Sequence, residues 1–300
     1  MRKKLHSALT QHKKIGVAVQ RSHINQPTRS GLNKMNFIDS HCHLHDSRIL
    51  DDMPGIVARA EVAGVKPMVT CATMEENFEQ TAQLSLTYPS ILPCFGIHPW
   101  FLDSLSTDWK KNLEQYLVSY PSGIGETGLD FMIKTLDLDR QMAVFEHHLM
   151  LAWEMERPIN IHVRKAWEAF VRILKRLGKF KTPWLIHSYS GSADLVPLLE
   201  AHNLYISFSG SVTQPGAKKV VKALKAVSRE RFVLETDTPD IYPYLPEPEA
   251  HRLNEPKNLA AIARIASERA EAGVETFSDQ AYENSLELFS PLLERKKAGQ

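Results

Sequence analysis

Beyond residue 36 the chain alternates short apolar runs with longer stretches of helical spacing. The runs predict strands at Phe37–Leu44, Lys66–Cys71, Ile91–Ile97, Gly123–Leu129, Pro158–Val163, Trp184–Ser188, Tyr205–Phe208 and Phe232–Glu235. The stretches between them predict helices at about 50–64, 75–88, 108–119, 138–156, 166–177, 192–202 and 216–229, with two more at about 257–272 and 278–289. Strands separated by a helix pair in parallel, the helix serving as the crossover. Eight such units in about 250 residues predict an α/β fold, a closed (β/α)8 TIM barrel forming a single domain with extra C-terminal helices. A doubly wound open sheet is the runner-up, but no Gly-x-Gly-x-x-Gly opens a helix after a strand. The expected division is a basic, disordered N-terminal arm (1–35), the barrel (36–290) and a C-terminal tail (291–300).

Charge sharpens this division. Residues 1 to 34 hold eight Lys/Arg and no Asp/Glu, which leaves 28 basic against 35 acidic residues in the remainder, a net of −7. The arm reads as a tail, a targeting peptide, or the product of a start placed ahead of Met35. A body this acidic does not bind nucleic acid by bulk charge, so a polyanion has to be held locally, at one mouth. The three cysteines, Cys42, Cys71 and Cys94, show no pairing-like spacing. They point to a reducing compartment, and the expected location is cytoplasmic. No apolar run in the sequence is long enough to span a bilayer, so no membrane partner is expected.

In a barrel of this kind the chemistry gathers at the C-terminal ends of the strands. The first predicted strand carries Asp39-Ser40-His41-Cys42-His43-Leu44-His45. Strand alternation puts Asp39, His41 and His43 on one face and Cys42 on the other. Two imidazoles side by side on a rigid element form a pincer for a divalent metal, whereas a single one is more often a satisfied core histidine. Further strand ends carry His98, Glu126 with Asp130, His162 with Arg164, His187, and Glu235 with Asp237. Buried imidazoles and carboxylates cost several kcal/mol unless paired or coordinated, so six such ends are hard to explain as packing. Four histidines and two carboxylates exceed the needs of one ion and suit two sharing a bridging carboxylate.

Asp-Ser-His-Cys-His-Leu, Gly-Ile-His-Pro, Gly-Glu-Thr-Gly-Leu-Asp, Ile-His-Val-Arg, His-Ser-Tyr-Ser-Gly and Glu-Thr-Asp-Thr-Pro occur in that order, followed by Asn254-Glu255-Pro256 and Asn284. This ordered set resembles the TatD family of metal-dependent deoxyribonucleases, of the amidohydrolase superfamily, over residues 36 to about 290. Tyr189 stands where Phe is commoner in that family. The resemblance implies that His41 and His43 hold one ion with Asp237, that Glu126 bridges to a second, and that His162 and His187 hold the second. It further implies that His98 and Arg164 face the substrate phosphate, that Asp237 orients the attacking hydroxide or takes its proton, and that Glu126 and Asp237 are the catalytic carboxylates. Glu235 and Asp130 are expected as supporting residues, and Asn254, Glu255 and Pro256 as shaping the mouth or simply starting a helix. His45 lies past the strand end and is expected to stay out of the ligand set.

The expected activity is cleavage of phosphodiester bonds in DNA by a two-metal hydrolase acting through a metal-bridging hydroxide, as a 3′–5′ exonuclease. Imidazole-rich ligation favours Zn, Mn or Fe over Mg on softness grounds, while the family is described as Mg-dependent; the two divalent ions are left among Mg, Mn and Zn. DNA is the expected partner, with no obligate protein partner and a monomer as the default. Trp100, Phe101, Tyr189 and Tyr242 are candidates for stacking on an unpaired base, against ordinary packing. The rival reading is another hydrolase on the same cage, an amidase, esterase or aminoacyl-tRNA deacylase. A non-catalytic metal-binding protein comes last.

Overall fold

The computed structural model describes residues 35–132, 137–245 and 253–298. The basic arm lies, except for Met35, outside the described residues. Eight strands, β1 (Phe37–Cys42), β2 (Val65–Cys71), β3 (Ile91–Phe95), β4 (Gly123–Asp130), β5 (Ile159–Arg164), β6 (Trp184–Ile186), β7 (Leu204–Phe208) and β8 (Phe232–Leu234), form one sheet in that order. Every adjacent pair from β1–β2 to β7–β8 is parallel. Between them lie α1 (Met53–Val62), α2 (Phe78–Thr87), α3 (Trp109–Ser119), α4 (Leu138–Glu154), α5 (Trp167–Leu177), α6 (Val196–Ala201) and α7 (Lys218–Ala226). The helices α8 (Leu259–Arg269), α9 (Val274–Leu288) and α10 (Ser290–Ala298) complete the (β/α)8 TIM barrel.

The seam between β8 and β1 is closed by individual bonds rather than by a ladder. Asp237 N–H donates to the His41 carbonyl at 3.0 Å, and His43 N–H to the Thr238 carbonyl. Asp39 ties the same seam. It accepts from Thr236 N–H at 2.8 Å and from Thr236 Oγ1–H at 2.5 Å. Burial pushes the Asp39 carboxyl up to about 8, against the bonds from Thr236.

Alternation along each strand separates two apolar layers. Residues such as Met68, Ile91, Ile161, Ile206 and Leu234 pack against the helices. Ile38, Val69, Leu92, Leu185, Tyr205 and Val233 form a second cluster, which Leu288, Phe289 and Leu292 join. Leu292 lies past residue 290, so α10 contributes to the core from within the stretch set aside as a tail.

β1 departs from simple alternation. Its pairing with β2 shifts between Asp39 and Cys42. Ser40 therefore reaches across to Ser207 Oγ and the Leu234 carbonyl, while Asp39 turns to Thr236. The expectation that Asp39 shares a face with His41 and His43 fails at this irregularity. Cys42 packs among apolar residues, its thiol donating to the Val69 carbonyl, as expected for the residue between the two histidines.

Candidate metal centre

The strand ends bring four imidazoles and two carboxylates together; all but the fully buried His41 line one cavity of about 490 Å³. His41 lies next to the last residue of β1 and His43 follows the strand, Glu126 lies inside β4 and His162 inside β5. His187 and Asp237 sit just past the ends of β6 and β8. Two backbone features bring them together. Gly125 holds φ at +123°, and a Cβ there would lie 2.7 Å from the Asn160 carbonyl oxygen, so only glycine lets β4 approach β5 and carry Glu126 inward. Asp237 takes φ 58°, a left-handed conformation that aspartate tolerates better than most residues.

Glu126 divides its oxygens between two histidine pairs. Oε2 lies 3.5 Å from His41 Nε2 and 3.3 Å from His43 Nε2. Oε1 lies 3.0 Å from His162 Nδ1 and 2.9 Å from His187 Nε2. Asp237 Oδ1 joins the first pair, at 3.7 and 3.5 Å. His41, His43 and Asp237, likewise His41, Glu126 and His187, and likewise His98, Glu126 and His162, offer ligand atoms within 4.8 Å of one another.

The outer nitrogen of each imidazole faces an acceptor. His41 Nδ1 is 3.2 Å from Asn160 Oδ1, and His43 Nδ1 is 2.8 Å from the Cys71 carbonyl. His162 Nε2 is 3.4 Å from Asp130 Oδ2, and His187 Nδ1 is 3.4 Å from Glu235 Oε1. An acceptor on the outside draws the ring proton outward and turns a lone pair inward. Yet the inner nitrogens face each other closely, at 3.2 Å for His41 and His43 and at 3.1 Å for His162 and His187. Lone pairs at that separation demand positive charge between them, supplied by protons or by cations.

The titration of the cage reflects the same demand. Burial works to lower His43, but Asp237 and Glu126 outweigh it and lift the imidazole to about 10. His187 rises well above the usual value for the same reason, with Glu126 and Glu235 overriding burial. Burial would raise Glu126 and Asp237. The surrounding imidazoles reverse this, holding Glu126 well below the ordinary carboxylate range and Asp237 at about 2. Four imidazoles of borderline softness and two hard carboxylates, arranged as two histidine pairs about the shared Glu126, fit divalent cations. Chelating the metal is expected to lower the melting temperature by roughly 5–10 °C, the loss of about 2.7 kcal/mol for a site held at 100 times its Kd in a domain of this size. Thermal scans with and without EDTA check this; an unchanged transition would mean the cage holds no ion in the folded protein.

The remaining candidates divide. His98 is buried, and burial takes its imidazole down to about 4. Its Nδ1 accepts from Trp100 N–H at 3.2 Å, which leaves the proton on Nε2, 3.3 Å from Glu126 Oε1. Arg164 lies at the rim with half its side chain exposed and Nη1 3.8 Å from Asp130 Oδ2. His45 lines the cavity but is absent from the ligand clusters, and burial lowers it to about 3. Tyr189 is no stacking surface: it is 1% exposed and its hydroxyl donates to the Ser192 carbonyl. Tyr242 does not line the cavity. Asn254 is buried and donates to the Thr236 and Ile241 carbonyls, Glu255 pairs with Arg59, and Pro256 opens the turn before α8. Asn284 donates to the Arg229 and Phe232 carbonyls at the far end of β8. Asn160 escaped the reading of the sequence, although it stands two residues before His162 and so shares its face.

Comparison with known proteins follows this geometry. A family model described as TatD related DNase matches residues 38–290. The chain is 30% identical to YabD of Bacillus subtilis, described as an uncharacterized metal-dependent hydrolase, over 84% of this chain and 98% of that one. It is 29% identical to the 3′-5′ ssDNA/RNA exonuclease TatD of Edwardsiella piscicida, over 84% and 98%. The crystal structure of YjjV, a TatD homologue from Escherichia coli, superposes with a TM-score of 0.79 at 26% identity, covering 85% of this chain and 98% of that one.

Proposed function

The chain belongs to the TatD-related DNase family, and from that premise we propose that it cleaves phosphodiester bonds of DNA at a centre of two divalent cations. Membership makes it a metal-dependent hydrolase acting on ester bonds. Among the described residues no helix is long and apolar enough to cross a membrane.

The observation that carries the two-cation reading is the division of Glu126, one oxygen toward His41 and His43 and the other toward His162 and His187. His41, His43 and Asp237 would hold one cation, His162 and His187 the other, with Glu126 common to both. Cations bound there supply Lewis acidity toward a phosphoryl oxygen and lower the pKa of a water enough for attack at neutral pH.

The chain's own groups do the rest. Asp237 is ionised and accepts a hydrogen bond from the attacking water, turning its lone pair toward phosphorus. Arg164 reaches from the rim to a non-bridging phosphate oxygen. His98 donates from Nε2 to Glu126 Oε1 and steadies the shared carboxylate. Asp130 holds His162 in orientation, and the Glu235 carboxylate faces His187 at 3.4 Å as a charge partner.

The curated exonuclease relative supports a 3′–5′ direction and an unpaired strand. The test is the purified protein with Mg, Mn or Zn on single-stranded DNA labelled at either end, beside ester and amide substrates. Metal-dependent release starting from the 3′ end is expected. Ester or amide cleavage with the DNA intact would overturn the nuclease reading in favour of another hydrolase on this cage.

A further inference from the structure

We infer that Trp100 is the seat of an unpaired nucleobase, an aromatic platform that holds the substrate nucleotide over the cage; this rests on the nuclease reading above. Trp100 lines the metal-centre cavity and is 46% exposed, while His98, Glu126, His187 and Asp237 beside it are each at most 8% exposed. An indole open to water is unremarkable if it is loose. This one is pinned at both ends. Its main-chain N–H donates to His98 Nδ1, and its Nε1–H donates to Asp130 Oδ2 at 2.7 Å. The ring meets His98 edge-on, with centroids 4.8 Å apart, and its centroid lies 6.3 Å from that of His162. The indole N–H is thus already satisfied by protein, and the exposed part of the side chain is apolar π-surface. Little further ordering is needed for it to receive a flat partner.

Asp130 makes the arrangement specific. The same Oδ2 that takes the indole N–H lies 3.4 Å from His162 Nε2 and 3.8 Å from Arg164 Nη1. An aromatic face, a guanidinium and a cage imidazole therefore hang on one buried carboxylate oxygen. A nucleotide carries the complement in the same order: a π-face, a phosphate anion and the ester to be cut. Charge alone does not supply the grip. Residues 35–300 carry a net charge of −7, and Arg48 at the mouth is already committed to Asp46 and Asp240. Stacking binds any base, because every base has a π-face. It also favours a base free of its pairing partner, which can be turned onto the indole without first being unpaired.

The test measures kcat and KM on a short single-stranded oligonucleotide, with either a normal or an abasic nucleotide at the reacting end. The wild type is compared with Trp100→Ala and Trp100→Phe, and metal content is determined for each. Trp100→Ala is expected to raise KM by roughly tenfold to a hundredfold, the range of stacking on one base. Trp100→Phe keeps a ring, loses the bond to Asp130, and is expected to retain most of the affinity. The abasic substrate is expected to cost the wild type a similar factor and the alanine variant little more, with the same metal content in all three proteins. A wild-type KM in Trp100→Ala overturns the inference, as does an undiminished abasic penalty in that variant. Equal losses in both variants also overturn it, because they trace to the Asp130 bond rather than to the ring. Failure of the nuclease reading is distinguishable: it shows in the wild type, which would then cut neither oligonucleotide.

Discussion

Glu126→Gln is expected to reduce turnover on single-stranded DNA by more than about a hundredfold, beyond the loss usual for an outer partner of a metal ligand. The substitution keeps the shape and changes only what the two ends of the group offer. In the native chain both oxygens are acceptors, Oε2 toward His41 and His43 and Oε1 toward His162 and His187. A glutamine can present its oxygen to one pair only. To the other it presents an NH2, which donates where a cation needs an electron pair. Bound metal is expected to fall to one equivalent or less, with the melting temperature close to that of the chelated native protein. Elemental analysis and single-turnover assays check both numbers. Two equivalents retained, with turnover within a factor of ten, would remove Glu126 from the bridging role.

His41→Ala is expected to empty one of the two positions and leave the other. His41 Nε2 faces His43, Asp237 and Glu126, whereas His162 and His187 meet Glu126 through its other oxygen. Stoichiometry is therefore expected to drop by about one ion, with turnover down by at least about a hundredfold. The barrel itself is expected to survive at a cost of about 1–3 kcal/mol, because the change leaves a small void and the unanswered side-chain oxygen of Asn160. Circular dichroism and urea titration follow the fold; mass spectrometry follows the metal. Unchanged stoichiometry would mean that His41 is only a packed imidazole.

Much of this was readable in advance, and the exceptions have physical causes. The eight strands were legible because a parallel sheet buried on both faces writes itself as short apolar runs. Their ends were not. β6 stops at Ile186 and β8 at Leu234, short of the expected Ser188 and Glu235. Ser188 and Asp237 take positive φ there, a turn that an apolar pattern does not encode. Helix starts expected at 50, 75 and 192 fall at or beside the 3-10 turns Leu50–Asp52, Glu75–Asn77 and Ala193–Leu195, whose spacing mimics the first turn of an α-helix. Of the cage, all six side chains were visible as His or carboxylate at strand ends. The acceptors behind them were less so. Asn160 has a sequence signal in its two-residue offset from His162, but the Cys71 carbonyl that faces His43 is backbone and has no signature. The clamp of Arg48 between Asp46 and Asp240 joins residues 192 apart, which no local pattern reveals.

The β8–β1 seam has a consequence for how the protein becomes active as it is made. Its bonds run through the very residues proposed to grip the first cation, His41 and His43 beside the first strand and Asp237 just past the last. A nascent chain still on the ribosome owns the two histidines early, yet it cannot complete that position until some two hundred residues later, when Asp237 has cleared the exit tunnel. A chain truncated before Asp237 would therefore carry both histidines but lack the carboxylate proposed to complete their position.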